Sequence, residues 1–253
     1  MNKVFNAKLN KKFLKSISKD ERAFIFAMVH FSNEMNALNK LLLWTSRTPS
    51  PNRAEVLGRL TYQFMFIRYF AGKLFEGHQL FSKSFQGAKI SKEYIPYLSE
   101  EGKTALKNIN GYFSKKNAIY KIRNTLAFHY DPQKLDSEFI DTPDDFDIFL
   151  EEKGSSNNLF YFAEVMAGRA LISESGDLRD KNDNPYENLI KEVFRVARWF
   201  SNVINEIFVL FANKYSDNIW ETQPIEVEFE NLISTLDIHI PWFTDISKAE
   251  DLF

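Results

Sequence analysis

Arg123, Asn124 and His129 form the one constellation in this chain whose residue types suit a reaction needing neither thiol nor metal. An imidazole with an ordinary pKa near 6.5 exchanges protons at neutral pH. A guanidinium presents a fixed fork of donors to a phosphate gaining negative charge. An amide between them orients the imidazole or holds a phosphate oxygen. Lys115, Lys116 and Lys121 lie just upstream, in a stretch from Lys103 to Arg123 that holds six basic residues and no acid. They are the expected substrate-binding cations. Spacing adds a condition. Six residues along an ideal helix rotate by about 120° net and rise about 9 Å, so Arg123 and His129 of one chain do not sit side by side unless the helix bends or ends. A composite site across a two-fold axis, in a homodimer, would remove the difficulty.

Other chemistries fail on residue type or spacing. The absence of cysteine excludes a disulfide framework, a thiolate metal site and a Cys nucleophile. Gly102-Lys103-Thr104 ends like a phosphate loop, but Tyr97 stands where the pattern needs its first glycine. A charged helix start explains it. None of the four histidines has Glu three residues before it, as an inward-facing di-metal bundle requires, and no Gly-x-Ser-x-Gly elbow occurs. His30 and Glu34 read as a helix-surface pair, and His78 as a hydrogen-bonded core histidine. His239 has no catalytic neighbour in sequence. Neither a metal nor a cofactor is expected.

The elements that must position these residues are helical. Ser18 with Glu21 fits a capping box, followed by Phe24, Met28, Phe31, Met35, Leu38 and Leu42 at steps of three or four. Pro49-Ser50-Pro51 breaks the chain. Asn52 then caps a second helix whose stripe runs from Leu57 to Phe85. A third stretch, 100–113 and 115–130, is interrupted near Gly111 and Ser114 and stopped by Asp131-Pro132. A fourth helix opens at Asn184-Pro185 and carries Leu189, Val193, Val196, Phe200, Val203, Ile207 and Leu210 on one face. The expected fold is mainly α, an antiparallel helical bundle with a small mixed insertion before the last long helix. The expected domain spans 1–215, with the insertion at 131–184 and an irregular acidic C-terminal tail, 216–253, packing on the bundle. Within the insertion, alternating Phe146, Ile148 and Leu150 and the turn residues 153–158 predict a β-hairpin. Ala163 to Ile172 reads equally well as a short helix.

Arg123, a polar Asn124, four residues and then His129, late in a helical bundle, resemble the signature of the HEPN superfamily (higher eukaryotes and prokaryotes nucleotide-binding domains). The architecture matches over about 20–215; the motif covers only those three residues. The insertion and the further long helix after the motif depart from the family's pattern. The resemblance implies a metal-independent endoribonuclease, a homodimer whose two protomers bring their motifs to one cleft. His129 then exchanges a proton with a ribose 2′-OH or the 5′-O leaving group, while Arg123 holds the phosphate. It implies RNA as the partner, a defence or toxin-like role and a regulatory protein partner. Nucleotidyltransferase-paired toxins of the family carry Tyr two residues after the His; here that position is Asp131. Two alternatives stand beside this reading. His129 continues the stripe Ile119, Ile122, Leu126 as a histidine tucked against the core, with Arg123 paired to an acid of 131–152. The chain is then a non-catalytic helical module for protein or RNA binding.

The formal net charge is −2, from 32 basic and 34 acidic residues, which argues against a protein basic all over, such as a coat for DNA. Hydrophobic residues make up 44%, which argues against wholesale disorder. The average conceals segregation. Residues 1–19 hold six lysines and no acid, while 131–152 and 217–251 each hold nine acids and one Lys. The basic blocks offer a phosphate-binding face; the acidic ones read as solvated loops or as an internal mimic covering it. No apolar run approaches the roughly 20 residues of a membrane span, and no apolar h-region follows the N-terminal lysines. A cytoplasmic protein without a membrane partner is expected.

Overall fold

Local capping chemistry starts most of the helices. In the computed structural model, which describes residues 4–46, 51–127, 131–140, 142, 145–152, 155–174, 184–227, 233–234 and 237–245, Asn10 Oδ1 accepts from Phe13 N (3.1 Å) and begins α1, Lys11–Ser16. Ser18 Oγ accepts from Glu21 N (3.3 Å) and begins α2, Lys19–Trp44. The second half of the expected capping box is given up, because the Glu21 carboxylate is engaged by Tyr94, Lys214 and Tyr215. Asn52 Oδ1 accepts from Ala54 N (2.8 Å) ahead of α3, Arg53–Phe81. A π-helical turn, Ser82–Gln86, continues α3. Then come α4, Lys89–Tyr94, and a 3₁₀ turn, Ile95–Tyr97.

Ser99 caps α5, Glu100–Phe113, and Asn117 caps α6, Ala118–Ile122, so the third stretch is interrupted at Ser114–Asn117. A second π-helical turn, Arg123–Ala127, follows directly. Asp131-Pro132, read as a stop, starts a helix. Asp131 Oδ1 accepts from Lys134 N (3.1 Å) and Pro132 opens α7, Pro132–Phe139. The remaining helices are α8, Tyr161–Glu174; α9, Pro185–Lys214; and α10, Ser216–Ile219. Strand β1, Val4–Leu9, pairs antiparallel with β2, Trp220–Val227, with Val4 opposite Val227 and Leu9 opposite Trp220. The molecule is mainly α, a helical bundle with a small insertion.

Contacts group the chain into two compact units, each assembled from three stretches. The first comprises 1–35, 73–115 and 194–233. Its core is a phenylalanine cluster. Phe24 packs edge-on to Phe81 (5.6 Å between centroids) and stacks on Phe85 (4.9 Å), and Phe31 meets Phe200 edge-on (5.2 Å). All five rings are at least 95% buried. The high phenylalanine content thus has a structural use here, since edge-to-face pairs add to what burial of the rings contributes. Gly77 lies against the Phe31 ring, where a Cβ would collide. β1 and β2 belong to this unit.

The second unit comprises 36–72, 116–193 and 234–253. Here the end of α2 meets the start of α3 through Gln63 Nε2, which donates to Thr45 O (2.7 Å), and Arg59 Nη1, which donates to Ser46 O (3.0 Å). Trp242 packs on Tyr62 (4.9 Å) and against Gly58. The insertion folds as follows. Phe149 and Leu159 exchange two backbone hydrogen bonds (2.9 and 2.8 Å), a single antiparallel pair at the place of the expected hairpin. Helix α8 occupies the segment that had read as hairpin or helix. It packs on α7, on α6 and on the π turn that carries Arg123.

Candidate functional site

The support for the motif is α6. Ala118, Ile119 and Ile122 are buried, and Leu126 is half-buried, so one face of α6 and the following turn is held in the core of the second unit. Arg123 is half-buried and Asn124 exposed. The two side chains are joined: Arg123 Nη1 donates to Asn124 Oδ1 (3.0 Å), and Asn124 Nδ2 donates to Tyr120 O (3.0 Å). Thr125 Oγ1 likewise donates to Lys121 O (2.8 Å). Two consecutive side chains therefore bond the carbonyls four residues back. Such back-bonding competes with the backbone ladder and accounts for a widened turn at this point. Over 123–127 the backbone closes from i to i+5, so these five residues depart from the ideal α-helical turn.

Of the expected substrate-binding lysines, Lys116 is exposed and Lys121 half-buried, both in the same unit as Arg123 and Asn124. Lys115 is exposed and falls in the first unit. His129 lies outside the described residues, as does the tail from 246. The structure therefore brings together Arg123 and Asn124, with Asn124 bracing the guanidinium.

The other polar features have structural explanations. Gly102 belongs to a capped helix start: Ser99 Oγ accepts from Gly102 N (3.0 Å), and the Glu206 carboxylate accepts from Ser99 N (2.8 Å) and Ser99 Oγ (2.6 Å). A Cβ at Gly102 would run into that carboxylate. The negative end that a helix N-terminus favours is thus supplied by the chain itself. His30 and Glu34 are a surface pair (3.9 Å). His78 departs at Nδ1 from the hydrogen-bonded core histidine expected. Its ring stacks on Phe113 (4.3 Å, 14°), Nδ1 is buried with no hydrogen-bond partner among the described residues, and burial lowers its pKa. Among the described residues no three His, Asp or Glu side chains gather into a metal-holding set. No helix among them is long and apolar enough to cross a membrane.

Sequence reasoning missed a buried polar centre in the first unit. Glu21, 4% exposed, takes hydrogen bonds from Tyr94 Oη, Lys214 Nζ (2.9 Å) and Tyr215 Oη (2.9 Å), and Lys214 also binds Glu93 (2.8 Å). Burial together with the adjacent Glu21 carboxylate pushes the Tyr94 phenol far above its usual range, so it stays a donor. The partners stand 73, 193 and 194 residues from Glu21, and no local signal announces them. No protein-family model, curated protein or solved structure matches this chain.

Proposed function

We propose that the chain is a metal-independent endoribonuclease of the HEPN type, working as a homodimer in the cytoplasm as a toxin-like or defence effector under a protein regulator. The observation that carries this reading is the Arg123–Asn124 pair, with its guanidinium braced by an amide that is itself tied to Tyr120 O. A braced fork loses less rotamer freedom when it takes up a phosphate than a free arginine does. Lys116 and Lys121 add cations on the same segment. Resemblance to the family motif supplies His129 as the proton-transfer group. The ribose 2′-O bonds to phosphorus as its proton passes to an imidazole, the bond from phosphorus to the 5′-O breaks as that oxygen takes up a proton, and one product is left with a 2′,3′-cyclic phosphate.

Cleavage of single-stranded RNA in EDTA, compared between wild type, His129→Ala and Arg123→Ala, tests the reading. The expected loss is at least about a hundredfold for each variant, with a cyclic-phosphate end on the wild-type product. Equal activity in all three, or none in any, overturns it. A non-catalytic helical module is the second reading. It is favoured by a run of apolar residues on the surface of the insertion: Ile140 (83% exposed), Ile148 (51%) and Leu150 (64%), with Phe139, Phe146 and Phe160 also exposed.

A further inference from the structure

We infer that the outer face of α5 is a binding groove for a single-stranded RNA backbone, separate from the Arg123 segment and contained in the first unit. The choice of RNA rests on the reading above; the groove is argued from its own residues. Lys103, Lys107, Asn110, Gly111 and Ser114 line a shallow groove of about 540 Å³, with Ile95 and Leu106 as its apolar wall. Lys103, Lys107, Asn110 and Ser114 follow at steps of four, three and four, with Gly111 beside Asn110, so they share one face of α5 and its C-cap and span about 16 Å along it. Asn110 Oδ1 is committed to Gln86 Nε2 (2.6 Å), which leaves the Asn110 NH₂ group to donate to a phosphate oxygen.

Charge favours a polyanion. Residues 82–116 contain seven lysines and three acids; two of the acids are engaged outside the groove, and the third pairs with the groove's own Lys103. Glu93 binds Lys214, Glu100 binds Lys103 (2.9 Å) and Glu101 accepts from Asn202 (2.7 Å). Lys89, Lys92 and Lys107 are exposed. Tyr97, on the 3₁₀ turn that also holds Ile95, is 72% exposed. An exposed ring is a surface on which an unpaired base stacks, at about 1–3 kcal/mol per base.

Gly111 is the second, independent sign. Gly77 and Gly102 are each required by a side chain that would collide with a Cβ, Phe31 and Glu206, whereas a Cβ at Gly111 meets nothing within 4 Å. A helical glycine is unfavourable relative to alanine, and packing gives no reason for this one in the last turn of α5. A bare backbone on the groove floor lets a sugar–phosphate chain approach closely.

The test uses the full chain and a fluorescein-labelled 2′-O-methyl oligoribonucleotide of about twelve nucleotides, read by anisotropy over a salt series. The probe lacks a 2′-OH and is not cleaved, so binding is judged whether or not the chain has nuclease activity. Lys103→Ala/Lys107→Ala is expected to weaken binding about tenfold and to lower the slope of log Kd against log salt by about 1.4. Gly111→Leu, which favours the helix, is expected to fold normally and bind several-fold more weakly. Tyr97→Ala is expected to lose affinity for the single strand but not for the corresponding duplex. Wild-type affinity in the lysine or the Gly111 variant overturns the groove, and unchanged single-strand binding by Tyr97→Ala overturns the stacking assignment. Capture of phosphatidylserine vesicles in place of the oligonucleotide, abolished by the same lysine variant, overturns the choice of RNA.

Discussion

In His78, partial burial against an aromatic face lowers the pKa of an imidazole. The ring lies in the apolar seam that its spacing predicted, but its neighbour is the flat face of Phe113, from a helix that no pattern around residue 78 could identify. Burial lowers its pKa below the ordinary 6.5. The sign follows. Below about pH 6.5 the unfolded chain takes up this proton more readily than the folded chain does, so the unfolded state binds more protons and stability falls as pH falls. His78→Phe keeps a ring against Phe113 and removes the titration. Thermal unfolding at about pH 7.5 and pH 5.5 is expected to show a larger fall in Tm for wild type than for His78→Phe. An equal fall in both proteins would assign the pH dependence to other groups.

At the scale of an element, α5 carries opposite requirements at its two glycines. Its start depends on Ser99 as cap and on the Glu206 carboxylate lying against Gly102; near its end, Gly111 has open space. Urea unfolding should therefore separate three substitutions. Ser99→Ala is expected to cost about 1 kcal/mol as a lost cap. Gly102→Ala is expected to cost about 1–3 kcal/mol, because a displaced Glu206 leaves Ser99 short of an acceptor. Gly111→Ala is expected to gain about 0.5–1 kcal/mol. The helices were legible in the sequence where their signals are local, as at Ser18, Asn52 and Pro185. Asp131-Pro132 was legible as a boundary but not in direction, since a pair that cannot continue one helix can also start the next. β1 was not legible at all. Lys8 N binds Thr222 Oγ1 across 214 residues, and a short half-polar strand does not reveal so distant a partner.

At the scale of the whole molecule, near-neutral charge hides basic and acidic blocks, and two compact units interleave three stretches of sequence each. Linear patterns therefore recover the helices but not the grouping. The same holds for the candidate site. Arg123 and Asn124 were legible because a motif is a local pattern; the π turn beneath them comes from back-bonding geometry that residue types alone do not dictate. The homodimer reading makes a prediction that no single-chain site can satisfy. If the site joins Arg123 of one protomer to His129 of the other, then Arg123→Ala and His129→Ala are each inactive alone but complement each other. On mixing and subunit exchange about half the dimers are mixed, and each mixed dimer keeps one of the two Arg123–His129 pairs that face each other across the shared cleft, so about a quarter of wild-type activity should return. RNA cleavage in EDTA before and after mixing the inactive variants measures this. Restored activity establishes a site shared between protomers, and its absence after verified exchange would place both residues in a site built by one chain.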